Sequence, residues 1–178
     1  MNENTKIIET VSEFLAYAVA LEEESVERYE MLADSMEVHH NDEVAELFRK
    51  LMGYSEKHAE EVKALATGMT LPNIPPWEYN WNCPDFPEGG DCFSDVINYL
   101  MTPRQVLDLA IHNETRGRDF YAWVANESPE AEVRRLAGEM AEEEQEHVNL
   151  LQVMMIEHSD ISSEEPLEDL DPPNMPEG

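Results

Sequence analysis

Apolar residues recur every three or four positions through four stretches of the chain, the spacing of helices with one buried face. In the first stretch, about residues 8–35, Leu15, Ala18, Val26, Tyr29 and Ala33 share a face, and Glu22 stands on that face with them. The second carries Val44, Leu47, Leu51, Val62 and Leu65, with Ser55 and His58 on the same stripe. Asn41 is placed to cap its start, Asp42 and Glu43 suit a first turn, and Gly68 ends it. His39 and His40 fall in the connection between the two. Thr102-Pro103 is an N-cap followed by proline at the first helical position, so a third helix is expected from there to about Glu127. Ser128-Pro129 repeats the signal and predicts a fourth helix ending near His158.

Residues 69–101 break the periodicity. They hold five of the eleven prolines together with Trp77 and Trp81, which makes them a long crossover, with a short helix expected near Ser94–Leu100. From Asp160 onward the tail is acidic and proline-rich and is expected to be disordered or draped on the surface. The third helix repeats the first: Ala110 answers Ala18, Glu114 answers Glu22, Tyr121 answers Tyr29 and Ala125 answers Ala33. The fourth repeats the second, with Leu136 for Leu47, Met140 for Leu51 and His147 for His58. The expected fold is therefore all-α: two helical hairpins joined by a crossover into an antiparallel four-helix bundle over residues 1–159, followed by the tail at 160–178.

Composition narrows the setting. A formal net charge of −29 repels nucleic acid and anionic membrane, so neither is expected as a partner. No apolar run approaches the roughly 20 residues that span a bilayer. The N-terminus has no charged region followed by an apolar one, so a cytoplasmic location is expected, with Cys83 and Cys92 as reduced thiols.

Glutamates and histidines on the apolar stripes carry the chemistry. Glu144-Gln145-Glu146-His147 sets a carboxylate and an imidazole one turn apart on one face. Four-helix di-iron proteins use such a Glu-x-x-His pair twice, with one further glutamate from each remaining helix. Glu22, Glu114 and His58 stand where that set requires them, but Ser55 stands where the second pair needs its glutamate. A buried carboxylate without a partner is costly, and a metal supplies the partner. Tyr29 and Tyr121 each lie two turns after a candidate glutamate and read either as core aromatics or as phenols bonded to a ligand carboxylate. Carboxylate-rich sites with few imidazoles suit Fe or Mn.

Through these residues the chain resembles the ferritin-like superfamily and its rubrerythrin-like branch. The residues concerned are Glu22 with Tyr29, the run Tyr54-Ser55-Glu56-Lys57-His58-Ala59, Glu114 with Phe120-Tyr121, and the run Glu144 to His147, within roughly residues 8–158. The resemblance implies a ferritin-like bundle, a di-iron carboxylate centre held by Glu22, His58, Glu114, Glu144 and His147, oxidation of Fe(II) by O2 or H2O2, and a homodimer. Rubrerythrins proper also carry a four-cysteine electron-entry module, whereas here only Cys83 and Cys92 occur, and these are not expected to bind iron. They use a further glutamate one turn after the third-helix ligand, where Gly117 stands here.

Ser55 leaves three readings. A nearby acid such as Glu56 or Glu61, or water, completes the shell. Alternatively, one metal is held firmly through Glu22, Glu114, Glu144 and His147 and a second weakly. In the third reading the site is vestigial and the bundle serves structure or interaction. The expectation taken forward is a rubrerythrin-like metal protein with oxidoreductase activity toward O2 or H2O2, drawing on an unspecified electron donor. Iron handling as a ferroxidase and a non-catalytic interaction module are the alternatives.

Overall fold

The structure, a computed structural model, describes residues 6–75, 78 and 100–161, with side chains as far as Ile156. Four helices run in chain order: α1 (Val11–Val38), α2 (Asp42–Leu65), α3 (Pro103–Glu127) and α4 (Ala131–Ile161), with no strand among the described residues. Most of the crossover, the short helix expected near Ser94–Leu100, both cysteines and the tail beyond Ile161 lie outside the described residues.

α1 packs mainly on α2, and α3 on α4, as two antiparallel hairpins. The first hairpin turns tightly. Asn41 N–H donates to the Met36 carbonyl and His40 N–H to the Glu37 carbonyl, closing α1 with paired bonds around a left-handed residue. That residue is His40, at φ 60°. Asn41 does precede α2, but its side chain makes no cap; its Nδ2 donates instead to the Met101 carbonyl at 2.7 Å. This bond brings the starts of α2 and α3 to the same end of the bundle. At the other end, Ser128 Oγ donates to the Ile8 carbonyl at 2.7 Å, joining the α3–α4 turn to the entry of α1.

α3 starts as its sequence implies. Thr102 Oγ1 accepts from Gln105 N–H at 3.3 Å, and Gln105 Oε1 accepts from Thr102 N–H at 2.9 Å, with Pro103 at the first position. α4 starts slightly later than Ser128-Pro129 implies. Ser128 closes α3 through its N–H to the Val124 carbonyl, and its hydroxyl is committed to Ile8 and to Glu130 N–H. Arg134 further fastens the turn by donating to the carbonyls of Ser128 and Pro129.

The core has two apolar layers. One gathers Phe14, Tyr17 and Leu21 from α1, Val62 from α2, Phe120, Tyr121 and Val124 from α3, and Val133, Leu136 and Met140 from α4. The other gathers Tyr29, Leu32 and Met36, then Phe48 and Leu51, then Val106 and Leu107, and Leu151. Each fully buried side chain of this kind contributes roughly 1.5–3 kcal/mol. Between the layers, all four helices turn polar side chains inward over residues 22–25, 55–58, 113–117 and 144–147. Leu65, expected on the inward stripe of α2, is 50% exposed: Val62 and Ala66 take the inward places at this end of the helix, and Leu65 stands at the edge of the stripe.

Removing the Thr102 hydroxyl tests the α3 start. Thr102→Ala is expected to cost about 1 kcal/mol, which lowers the midpoint of thermal unfolding by about 2–4 °C in a chain of this size. An unchanged melting curve would show that the capping box contributes nothing.

Candidate metal centre

The middle layer is built from glutamates that leave acidic runs. In Glu22-Glu23-Glu24, Glu23 pairs outward with Lys63 at 2.7 Å and Glu24 with Arg28 at 2.5 Å, while Glu22 turns inward and is buried. In α4, Glu142, Glu143 and Glu146 are exposed and Glu144 is buried. Helical spacing explains the selection, since only one residue in three or four can face the axis.

The five expected ligands come together. His147 Nδ1 lies 3.4 Å from Glu114 Oε2 and 3.6 Å from Glu144 Oε2, and His58 Nδ1 lies 3.8 Å from Glu22 Oε1. The two imidazoles face each other with centroids 4.5 Å apart. Ligand atoms of His58, Glu144 and His147 all fall within 4.8 Å of one another. Tyr29 and Tyr121 sit in the core, and their phenols also reach carboxylates. Tyr29 OH donates to Glu114 Oε1 and Tyr121 OH to Glu22 Oε1, each at 3.4 Å. The sequence repeat thus becomes a reciprocal pair in space: each hairpin's tyrosine holds the other hairpin's glutamate. Burial raises both phenols well above the usual tyrosine range, so they remain donors.

The electrostatics are those of too many carboxylates buried in one place. Burial pushes Glu22 up, opposed by His58. Burial also pushes Glu144 well up; His147 opposes it, and the nearby Glu114 and Glu22 charges add to it. Glu114 is pushed up by burial too, but bonds from His147 and Glu144 outweigh that and leave it lowered. Its own bonds to Glu114 first and then to Glu144 raise His147 to about 10. Three facing carboxylates with two imidazoles make a hard, anionic donor set that fits a divalent first-row cation such as Fe or Mn.

Neither acid named for the Ser55 position fills it. Glu56 is exposed, and Glu61 is exposed and 3.5 Å from Lys57. Ser55 itself is buried, facing inward where its counterpart Glu144 does. Gly117 stands against that counterpart: a Cβ there would lie 3.5 Å from Glu144 Cδ, so the Glu144 carboxyl takes the room a longer side chain would need. Sequence reasoning missed Asn113, whose Nδ2 donates to Tyr29 OH at 3.3 Å and to Ser25 Oγ at 3.4 Å. No periodicity marks it, because it reads as an ordinary polar residue beside Glu114.

A buried carboxylate–imidazole layer between four helices is a candidate metal site, and comparison with known proteins gives the family. A rubrerythrin family model matches residues 13–87. A crystal structure of an uncharacterized conserved protein from Magnetospirillum magnetotacticum MS-1 is 39% identical in sequence, with a TM-score of 0.66, over 83% of this chain and 95% of that one. No curated protein matches the sequence. The chain belongs to the rubrerythrin family. None of its described helices is long and apolar enough to cross a membrane.

The His147 environment has a direct readout. Its folded value lies above the roughly 6.5 of a free imidazole, so its stabilising effect is complete below that pH and is lost as pH rises through about 10. In metal-free protein the His147 ring resonances are expected to titrate near pH 10, and to fall toward the ordinary imidazole range in Glu114→Gln. Titration at the ordinary value in the unaltered protein would contradict the geometry.

Proposed function

We propose that this rubrerythrin-family chain is a metal-dependent oxidoreductase acting on O2 or H2O2, with Glu22, His58, Glu114, Glu144 and His147 as ligands. The reciprocal placement of Tyr29 on Glu114 and Tyr121 on Glu22 carries the reading, because it orients two buried carboxylates toward one shared centre. Bound there, iron would supply electrons singly from each ion, so that two ions match the two-electron reduction of a peroxide. The chain's own part is positional and protonic. The phenols keep Glu22 and Glu114 from rotating, and Asn113 fixes the Tyr29 phenol in turn. His147 gives up its proton when its Nδ1 or Nε2 becomes a ligand, so metal uptake near neutral pH releases protons. The apolar layers above and below limit contact with water to the open side between α2 and α4, and so strengthen the charge interactions between them.

Ser55 makes the centre unequal. The position served by Glu144 and His147 keeps a full Glu-x-x-His pair, whereas the one served by His58 lacks an anionic ligand. Loss of that charge weakens a hard-cation site. Titration of the metal-free protein with Fe(II) or Mn(II) is expected to show one tight and one weak position, and Ser55→Glu to tighten the weak one. Peroxide added to the iron-loaded protein is expected to produce a visible absorbance band and to be consumed. Equal tight binding of two ions with no gain from Ser55→Glu would refute the inequality. Absence of metal binding in both forms would favour the structural or interaction role.

Iron handling is the second reading, favoured by the acids Glu61 and Glu143 beside the opening to the site. It expects Fe(II) itself to be the substrate, with oxidised iron accumulating beyond the number of ligand positions. The oxidoreductase reading expects a fixed metal content and continued peroxide turnover with an external reductant. A homodimer is part of the proposal, and sedimentation as a monomer at micromolar concentration would remove it.

A further inference from the structure

Phe14 packs edge-on against Tyr121 on the side of the bundle where α1 faces α3, and Tyr29 and Tyr121 bridge the two helices there. Between α2 and α4, by contrast, lies an open cavity of about 270 Å³ that leads to the metal centre. Its walls are apolar: Val62 and Leu65 from α2, Leu136 and Met140 from α4. Its floor is polar, with Glu22, His58 and Glu144 beneath it. O2 and H2O2 need a small fraction of that room. At roughly 30 Å³ for each water-sized unit, the space takes about nine such units, just under the usual size of a small-molecule pocket.

We infer that this cavity binds a small uncharged organic hydroperoxide, with its hydrocarbon body against Val62, Leu65, Leu136 and Met140 and its peroxide end at Glu22, His58 and Glu144. The body is set by the apolar walls, which gain from contact with hydrocarbon. The absence of charge is set by the rim, where Glu143 stands with Glu61 and Glu139, the latter two paired with Lys57 and Arg135, on a surface whose formal net charge of −29 repels a ligand bearing its own carboxylate. The peroxide end is set by the floor, whose carboxylates accept a bond from an O–H group. Leu65 is the lip of the pocket, which accounts for a half-exposed leucine at the end of α2.

The inference rests on the oxidoreductase reading and names its substrate class. The reaction balances as R–O–O–H with two electrons and two protons giving R–O–H and H2O. The O–O bond breaks, the distal oxygen leaves as water, and the proximal oxygen takes a proton as the alcohol. Ferrous iron held by Glu22, His58, Glu114, Glu144 and His147 would be the reductant and would supply the two electrons.

Binding is tested on metal-free protein with 2-phenyl-2-propanol, the unreactive alcohol product of cumene hydroperoxide, followed by methyl NMR. Saturable shifts are expected at the methyls of Met140, Leu136 and Val62. Leu65→Trp alters a half-exposed side chain and so leaves folding intact; it is expected to weaken binding by about tenfold, the scale of a steric change in an apolar pocket. Met140→Ala is expected to admit a bulkier alcohol. After iron loading, Leu65→Trp is expected to lower the rate with cumene hydroperoxide relative to H2O2 by a similar factor. No shift at saturation, or shifts mapping away from α2 and α4, would overturn the pocket even if H2O2 were reduced. Alcohol binding by a protein that takes up no iron would instead overturn the assignment to a hydroperoxide together with the function proposed above.

Discussion

Three carboxylates facing one another inside a four-helix bundle are the constraint around which the rest of the molecule is arranged. Each ionised group buried alone would cost several kcal/mol, and here Glu22, Glu114 and Glu144 share one layer. The protein manages this with two imidazoles, two phenols and shared protons: Glu144 is pushed up by burial and His147 is held protonated by Glu114 and Glu144. A cation relieves the same strain more completely. The layer is therefore costly for an empty bundle and suitable for a loaded one, and the two apolar layers supply the stability that offsets it.

Two-fold reciprocity spreads the work across both hairpins. Glu22 is held by Tyr121 and approached by His58; Glu114 is held by Tyr29 and approached by His147. Each half of the site draws residues from both hairpins, so neither hairpin could form it alone. Departures from symmetry cluster at one spot. Ser55 answers Glu144, and Gly117 gives the Glu144 carboxyl its room. The surplus carboxylate on α4 and the serine on α2 bias the layer toward α4.

Access follows from the same arrangement. Bulky aromatics hold α1 and α3 together across the axis, while small and aliphatic residues leave space between α2 and α4. The opening is rimmed by acids that the sequence shows only as part of a strongly acidic surface. Two of them have basic partners, Glu61 with Lys57 and Glu139 with Arg135. Any selectivity at this opening therefore depends on local pairing as well as on net charge.

Periodicity was enough to read the four helices, their order and the inward face of each, because burial demands an apolar stripe and the stripe is local in sequence. The repeat likewise made Glu22, Glu114, His58, Glu144 and His147 legible, since a glutamate or histidine interrupting an apolar stripe is conspicuous. Capping chemistry marked the start of α3 at Thr102 for the same reason: its partner Gln105 is three residues away. It misplaced the start of α4, because Ser128 bonds to Ile8 across the bundle. Asn41 likewise spends its side chain on Met101 rather than on its own helix. Tertiary structure alone decided which glutamate each tyrosine holds, that Asn113 fixes Tyr29, that Glu56 and Glu61 leave the Ser55 position unfilled, and that a cavity lies between α2 and α4. Those are relations between residues far apart in the chain. Local spacing shows which side chains face inward, but what they meet there depends on how the two hairpins are set against each other.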